Sequence, residues 1–312
     1  MGLILVVYVH VILGLVRAGI FPDGPITQWI DFGLNTFRMP LAFFLAELNV
    51  SMSLSRGGPR PFLRAKAWTI AYPYVLWSLI QGILVINLAR DVNVPITVSD
   101  LVAIPYRPLS QFWFLYALMI CHILAVLIPN RRVLAALSAL GFVIFQFLPI
   151  RPDLALTLHH LPLYVAGLYA SQAMWGVPPG GWAIAGLLWI GFGLAVLGGG
   201  IISMDSNGVA AIPACLLGVA GVVWVSRTVR HAPWLAMVGK MSMTIYVLHI
   251  MAGAWLRTVM LRLHVPPIPM DYLLAGTILG VVVPMMVHTA LSRAGILPWF
   301  GLALWRRKTV RA

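Results

Sequence analysis

The sequence predicts an all-α polytopic membrane protein, and three observations predict it. Of 312 residues, 61% are hydrophobic and only 9% are charged, with a mean hydropathy of +0.94; helices of that composition are apolar on every side, which suits lipid. The apolar stretches are continuous and do not alternate, which excludes a transmembrane barrel. The net charge of +13 is confined to short segments between those stretches, where it marks topology and not a nucleic-acid surface.

About ten spans can be drawn, at 1–17, 33–53, 68–89, 111–128, 133–149, 158–175, 181–201, 209–226, 235–256 and 272–292. The first, MGLILVVYVHVILGLV, is unbroken Val, Leu and Ile around one imidazole, His10. At roughly 24 Å of helix against about 30 Å of hydrocarbon it is short. No basic residue precedes it, so the expectation is a missing N-terminal segment. FPDGP then breaks the chain.

The second span carries Arg38 immediately before Met39 and Pro40. Proline suits a first helical turn, so Arg38 is expected at the outer interface, near the outer end of the first span. Glu47, the only glutamate, follows roughly 13 Å deeper on the same helix. A lone buried carboxylate needs a proton or a partner, and His10 is the partner expected. After SRGGPRP, with Arg56, Arg60, Arg64 and Lys66 nearby, the third span begins.

QFWFLYAL opens the fourth span with Gln111 and Trp113, and a tryptophan at a span end reads as an interface anchor. PNRR, with Arg131 and Arg132, turns into the fifth span, HHLPLYVAG starts the sixth with His159 and His160, and GVPPG and SMDSNG separate the sixth, seventh and eighth. The ninth reads GKMSMTIYVLHI, where Ser242, Tyr246 and His249 share one helix face, an arrangement that also serves as interhelical hydrogen-bonding glue. The tenth ends at Arg293 and the tail WRRKTVRA. Cys121 and Cys215 lie within apolar runs and read as small hydrophobes.

The basic segments, including Arg227, Arg230 and the tail residues Arg306, Arg307, Lys308 and Arg311, place both termini in the cytoplasm by the positive-inside rule. Loops around 18–30, 90–110, 150–157, 202–208 and 257–271 then face outward, and Arg17, Arg90, Arg107, Arg151, Arg257 and Arg262 stand there against the bias. A single domain spanning 1–312 is expected, with 293–312 as a basic cytoplasmic tail.

Ionisable groups inside membrane spans are costly and mark function more often than in soluble proteins. His10 suits a general base, and Arg38 an anion or oxyanion clamp. Glu47, Ser242, Tyr246, His249 and Trp113 are candidate supports. A hydrogen-bonded core histidine, a snorkelling arginine and polar glue are the bland readings of the same residues. GxGxxG, P-loop, HExxH and CxxC motifs do not occur, so nucleotide-driven transport and zinc hydrolysis have no support.

The pieces VVYVH, FRMPLAFFL, FLRAKAWTIAYPYVLWSLI, QFWFLYAL, LPLYVAGLY and SMTIYVLH, in that order, resemble the acyltransferase family 3 membrane proteins, in the branch related to fucose 4-O-acetylases. The likeness covers nearly the whole chain. It implies an O-acyltransferase of the bacterial inner membrane that takes an acyl group, commonly acetyl from cytoplasmic acetyl-CoA. The acceptor would be a hydroxyl of a carbohydrate, a polysaccharide precursor or a lipid-linked glycan; no bound cofactor, metal or nucleic acid is implied. The family's catalytic histidine maps onto His10 and the basic residue before Met-Pro onto Arg38. By charge, Arg64 and Lys66 are neighbours for the CoA phosphates.

The chain departs from the family pattern twice. A basic residue usual about three helical turns before the histidine would fall ahead of Met1. In FLAEL, Ala46 and Glu47 stand where the family carries a small, close-packing pair, so the second helix must accommodate extra bulk. Two other readings follow: a polysaccharide or lipid exporter on the same scaffold, and an inactive relic of the enzyme family.

Overall fold

The computed structural model describes residues 2–48, 50–87, 96–148, 152–173, 181–229 and 231–303. Among these the chain is helical and carries no strand. The α-helices are α1 (Gly2–Arg17), α2 (Pro25–Glu47), α3 (Val50–Gly57), α4 (Pro59–Lys66), α5 (Tyr72–Asn87), α6 (Val98–Val102) and α7 (Trp113–Leu127), followed by α8 (Arg131–Phe147), α9 (Pro152–Ala173), α10 (Trp182–Ile202), α11 (Ile212–Thr228), α12 (Pro233–Lys240), α13 (Ser242–Arg262) and α14 (Pro269–Arg293). Of the basic residues used for topology, Arg90, Arg151, Arg230, Arg306, Arg307, Lys308 and Arg311 lie outside the described residues, as do Met1 and the GVPPG break.

Among the described residues, six helical stretches are long and apolar enough to cross a membrane: Pro59–Asn87, Ser110–Leu127, Trp182–Ile202, Val209–Thr228, Ser242–Arg262 and Pro269–Arg293. Gly2–Arg17 and Leu154–Ala170 are shorter apolar helices. The first long stretch is one rod, in which α4 runs through a π-turn at Ala67–Ala71 into α5. Pro73 has no N–H and would crowd the carbonyl of Thr69, and the widened turn just ahead of it absorbs that conflict.

Two expected spans are re-bounded. The second was expected at 33–53, but α2 starts earlier, because extended Gly24 delivers Pro25 into the first helical position, and a separate α3 follows. Arg38 therefore lies in the middle of α2 and not in its first turn. Pro40, also inside α2, is an internal proline and not a start signal. The ninth, expected as one helix over 235–256, is split at Met241 between α12, which Pro233 initiates, and α13.

α1 is held between α2 on one side and α13 and α14 on the other, running parallel to α13 and antiparallel to α14. α2 also lies against α9 and α11, and α10 against α11. Cross-links fix which ends meet. Arg257 of α13 donates to the Gly14 carbonyl near the end of α1 at 2.8 Å, and Arg131 of α8 to the Leu168 carbonyl of α9 at 3.3 Å. Trp77 of α5 reaches the Phe300 carbonyl beyond α14 at 3.1 Å. The segment carrying Arg56, Arg60, Arg64 and Lys66, the start of α8 and the end of α14 thus collect at one end of the bundle. The C-terminal ends of α1 and α13 lie at the other.

Candidate functional site

Close packing of α1 on α14 sets the orientation of His10. Gly276 and Gly280 lie one turn apart on α14; a Cβ at either would sit 2.7 Å from Val11 or Val7, so only glycine lets α1 approach this far. With Val7 and Val11 committed to that contact, His10 points between α1 and α13. Its Nδ1 lies 2.8 Å from the Val6 carbonyl. A carbonyl only accepts, so Nδ1 carries the proton and a neutral ring presents a lone pair at Nε2.

His249 of α13 adopts the same arrangement, with Nδ1 at 2.7 Å from the Tyr246 carbonyl and a buried Nε2 without a hydrogen-bond partner. The two rings meet edge to face, centroids 5.0 Å apart at 69°. Arg38 brings a cation within electrostatic reach of both imidazoles. It is 8% exposed, and Nη2 donates to Asn35 Oδ1 at 2.6 Å. Nε and Nη1 have no partner. A buried guanidinium with unmatched donors is suited to an anion that arrives during function.

His10 and His249 form the floor of a cavity of about 660 Å³. Val11, Leu15, Ile250, Met260, Tyr272 and Gly276 line its apolar walls, and Arg17, Arg107, Arg257 and Asp100 its polar rim. One flank is braced by polar contacts. Gln111 donates to Gln81 at 2.8 Å and receives from it at 3.3 Å, and the Tyr246 hydroxyl donates to the Gln111 carbonyl. Ser110 next to them is held at φ 45°, a left-handed conformation that a non-glycine residue keeps only under tertiary constraint.

The other expected residues are distributed differently. Trp113 lines the cavity, but it packs inward against Phe43 at 6.2 Å and His160 at 5.5 Å between ring centroids, so it is no surface anchor. Of the trio on α13 only His249 lines the cavity; Tyr246 braces its wall and Ser242 is exposed at the helix start. Arg64 is exposed, Lys66 is half-buried over the Phe62 ring at 5.4 Å, and neither lines the cavity.

Glu47 does not pair with His10. Its Oε1 lies 3.1 Å from His122 Nδ1 on α7, and that nitrogen lies 2.8 Å from the Tyr164 hydroxyl of α9. All three side chains are 0% exposed. Accommodation of Glu47 comes from α9: a Cβ on Gly167 would stand 2.9 Å from Glu47 Cβ and 2.4 Å from the Phe44 carbonyl. The small residue missing from α2 is supplied by its neighbour. Sequence reasoning passed over His122, although a histidine within WFLYALMICHIL is open to the same argument as His10.

An acyltransferase domain matches residues 1–289, and the chain belongs to the acyltransferase 3 family. No curated protein and no solved structure matches it. The protein is therefore an acyltransferase, and its apolar helices make it an integral membrane protein.

Proposed function

We propose that the protein is an O-acyltransferase of the bacterial inner membrane, with about ten spans and both termini cytoplasmic, which moves an acyl group, acetyl by resemblance, from acyl-CoA to a hydroxyl of a carbohydrate or lipid-linked glycan. One observation carries this reading: His10, its Nδ1 held on the Val6 carbonyl, lines a cavity large enough for a small ligand, with the Arg38 guanidinium in electrostatic reach.

In the reaction, His10 Nε2 takes the proton of the acceptor hydroxyl. The oxygen attacks the thioester carbonyl carbon, forming a C–O bond and a tetrahedral oxyanion. The unmatched donors of Arg38 stabilise that oxyanion. Collapse breaks the C–S bond, and the departing CoA thiolate recovers the proton from His10. Holding Nδ1–H on the Val6 carbonyl keeps the basic nitrogen turned to the cavity. His249 lies edge-on to His10 and restricts its ring. The basic residues Arg64 and Lys66, at the opposite end of the bundle, attract the CoA phosphates from the cytoplasm.

The test is transfer of labelled acetyl from acetyl-CoA into membrane glycans by cells expressing the full chain. His10→Ala should abolish transfer while membrane insertion persists. Undiminished transfer by that variant would overturn the reading, and donor-independent glycan export would replace it with the exporter.

A further inference from the structure

The cavity rim is basic where the topology disfavours basic residues. Positive-inside bias depletes arginine from outward-facing ends of spans. Yet Arg17, Arg107 and Arg257 all line this cavity, against a single carboxylate, Asp100. Asp100 is itself committed elsewhere. Its Oδ2 accepts from the Thr97 backbone N–H at 2.9 Å and from the Thr97 hydroxyl at 2.6 Å, and its contact with Arg107 is long, at 3.9 Å. The rim therefore keeps an excess of positive charge.

The arginines are placed in register with the imidazoles. Arg17 follows His10 by about two helical turns, roughly 10 Å along the same stripe of α1. Arg257 gives one N–H to the Gly14 carbonyl, which sets its guanidinium about one turn beyond His10 and leaves its other donors for a ligand.

We infer that the acceptor is anionic: a phosphate or carboxylate group docks on Arg17, Arg107 and Arg257 while a hydroxyl roughly 10 Å away meets His10. This rests on the acyltransferase reading for the role of the hydroxyl, but the anion site stands on the rim geometry alone. The shared chemistry is an anion on a carbohydrate, either an acidic sugar or the phosphate linkage to a lipid carrier. The donor's own phosphates would approach from the other end of the bundle, where Arg64 and Lys66 lie.

Calorimetric titration of the purified full chain in detergent with inorganic pyrophosphate and with glucuronate tests this. At least one probe should bind, and Arg17→Gln or Arg107→Gln should weaken it roughly tenfold, the scale of one charged hydrogen bond. Both side chains are exposed, so these variants fold. Arg257→Lys, which keeps the charge and loses the fork, should weaken binding less than Arg17→Gln. Preference for pyrophosphate identifies a lipid-phosphate linkage, and preference for glucuronate an acidic sugar. The inference fails if neither probe binds, if the rim variants bind as the wild type does, or if Arg64→Gln weakens binding in their place. His10→Ala separates the two readings. Retained anion binding with lost transfer supports both, and retained binding with intact transfer removes His10 as the base while leaving the anion site.

Discussion

Two histidine clusters are served by the same helix, α2, and their fates differ. α2 carries Arg38 towards His10 and His249, and roughly 13 Å further along it carries Glu47 into contact with His122 and Tyr164. The residue types are alike, a histidine beside an ionisable neighbour. The two histidines of the first cluster open on a cavity, which Arg38 does not itself line; both clusters hold unmatched polar atoms, Nε and Nη1 of Arg38 in the first and both Glu47 oxygens and His122 Nε2 in the second. The second is fully enclosed, with Phe62 over the His122 ring at 5.6 Å between centroids. On the proposed function, access and not composition separates the reacting group from the structural one. A sealed polar cluster can specify how α2, α7 and α9 meet, whereas an open one can change partners during a reaction.

The largest effect expected is at the open cluster. His10→Ala should lower acetyl transfer by about 10²–10⁴-fold, measured with labelled acetyl-CoA in membranes, with an unchanged melting profile. That ring is hydrogen-bonded within its own helix, to the Val6 carbonyl. Arg38→Ala follows, with a loss of about 10²–10³-fold in turnover, and Arg38→Lys should recover only part of it because a point charge replaces the planar fork.

At the sealed cluster the consequence moves to stability. Glu47→Ala leaves His122 and Tyr164 without their carboxyl neighbour in an enclosed site and should cost about 1–3 kcal/mol, read by thermal unfolding in detergent. The folded fraction should keep its turnover, and a selective loss of turnover would make Glu47 a part of the reaction. Gly276→Ala should cost about 1–3 kcal/mol by overpacking, because its methyl meets Val11. It also tilts α1, so transfer should fall with stability.

The smallest effect lies at the rim. The Thr97 hydroxyl and backbone N–H hold the Asp100 carboxyl below the usual carboxylate range. A depressed carboxyl stabilises the fold above its unfolded pKa, and the contribution disappears as pH falls through the folded value. Proteolysis of the segment around α6 should therefore be constant near neutrality and accelerate only in strong acid.

Much of this was legible in the chain. Continuous apolar runs report a helical membrane protein because lipid demands internally satisfied backbone, and nearly every expected span overlaps a helix. His10 was visible because an imidazole among Val and Leu is conspicuous. Arg38 was legible as an intramembrane cation but set in the wrong turn. Pro40 looked like a helix start, whereas Gly24 and Pro25 begin α2 earlier.

The sequence by itself determined the class of the protein, the family pattern and the identity of its intramembrane ionisable residues, because helical periodicity and hydropathy are local properties. Only the tertiary structure decided which of those residues meet. His10 faces His249 because Gly276 and Gly280 draw α1 onto α14, and Glu47 faces His122 because Gly167 lets α9 close on α2. Such pairings depend on how near two helices come and how each is rotated. That is set by the smallest residues on the opposing helix, far away in the chain.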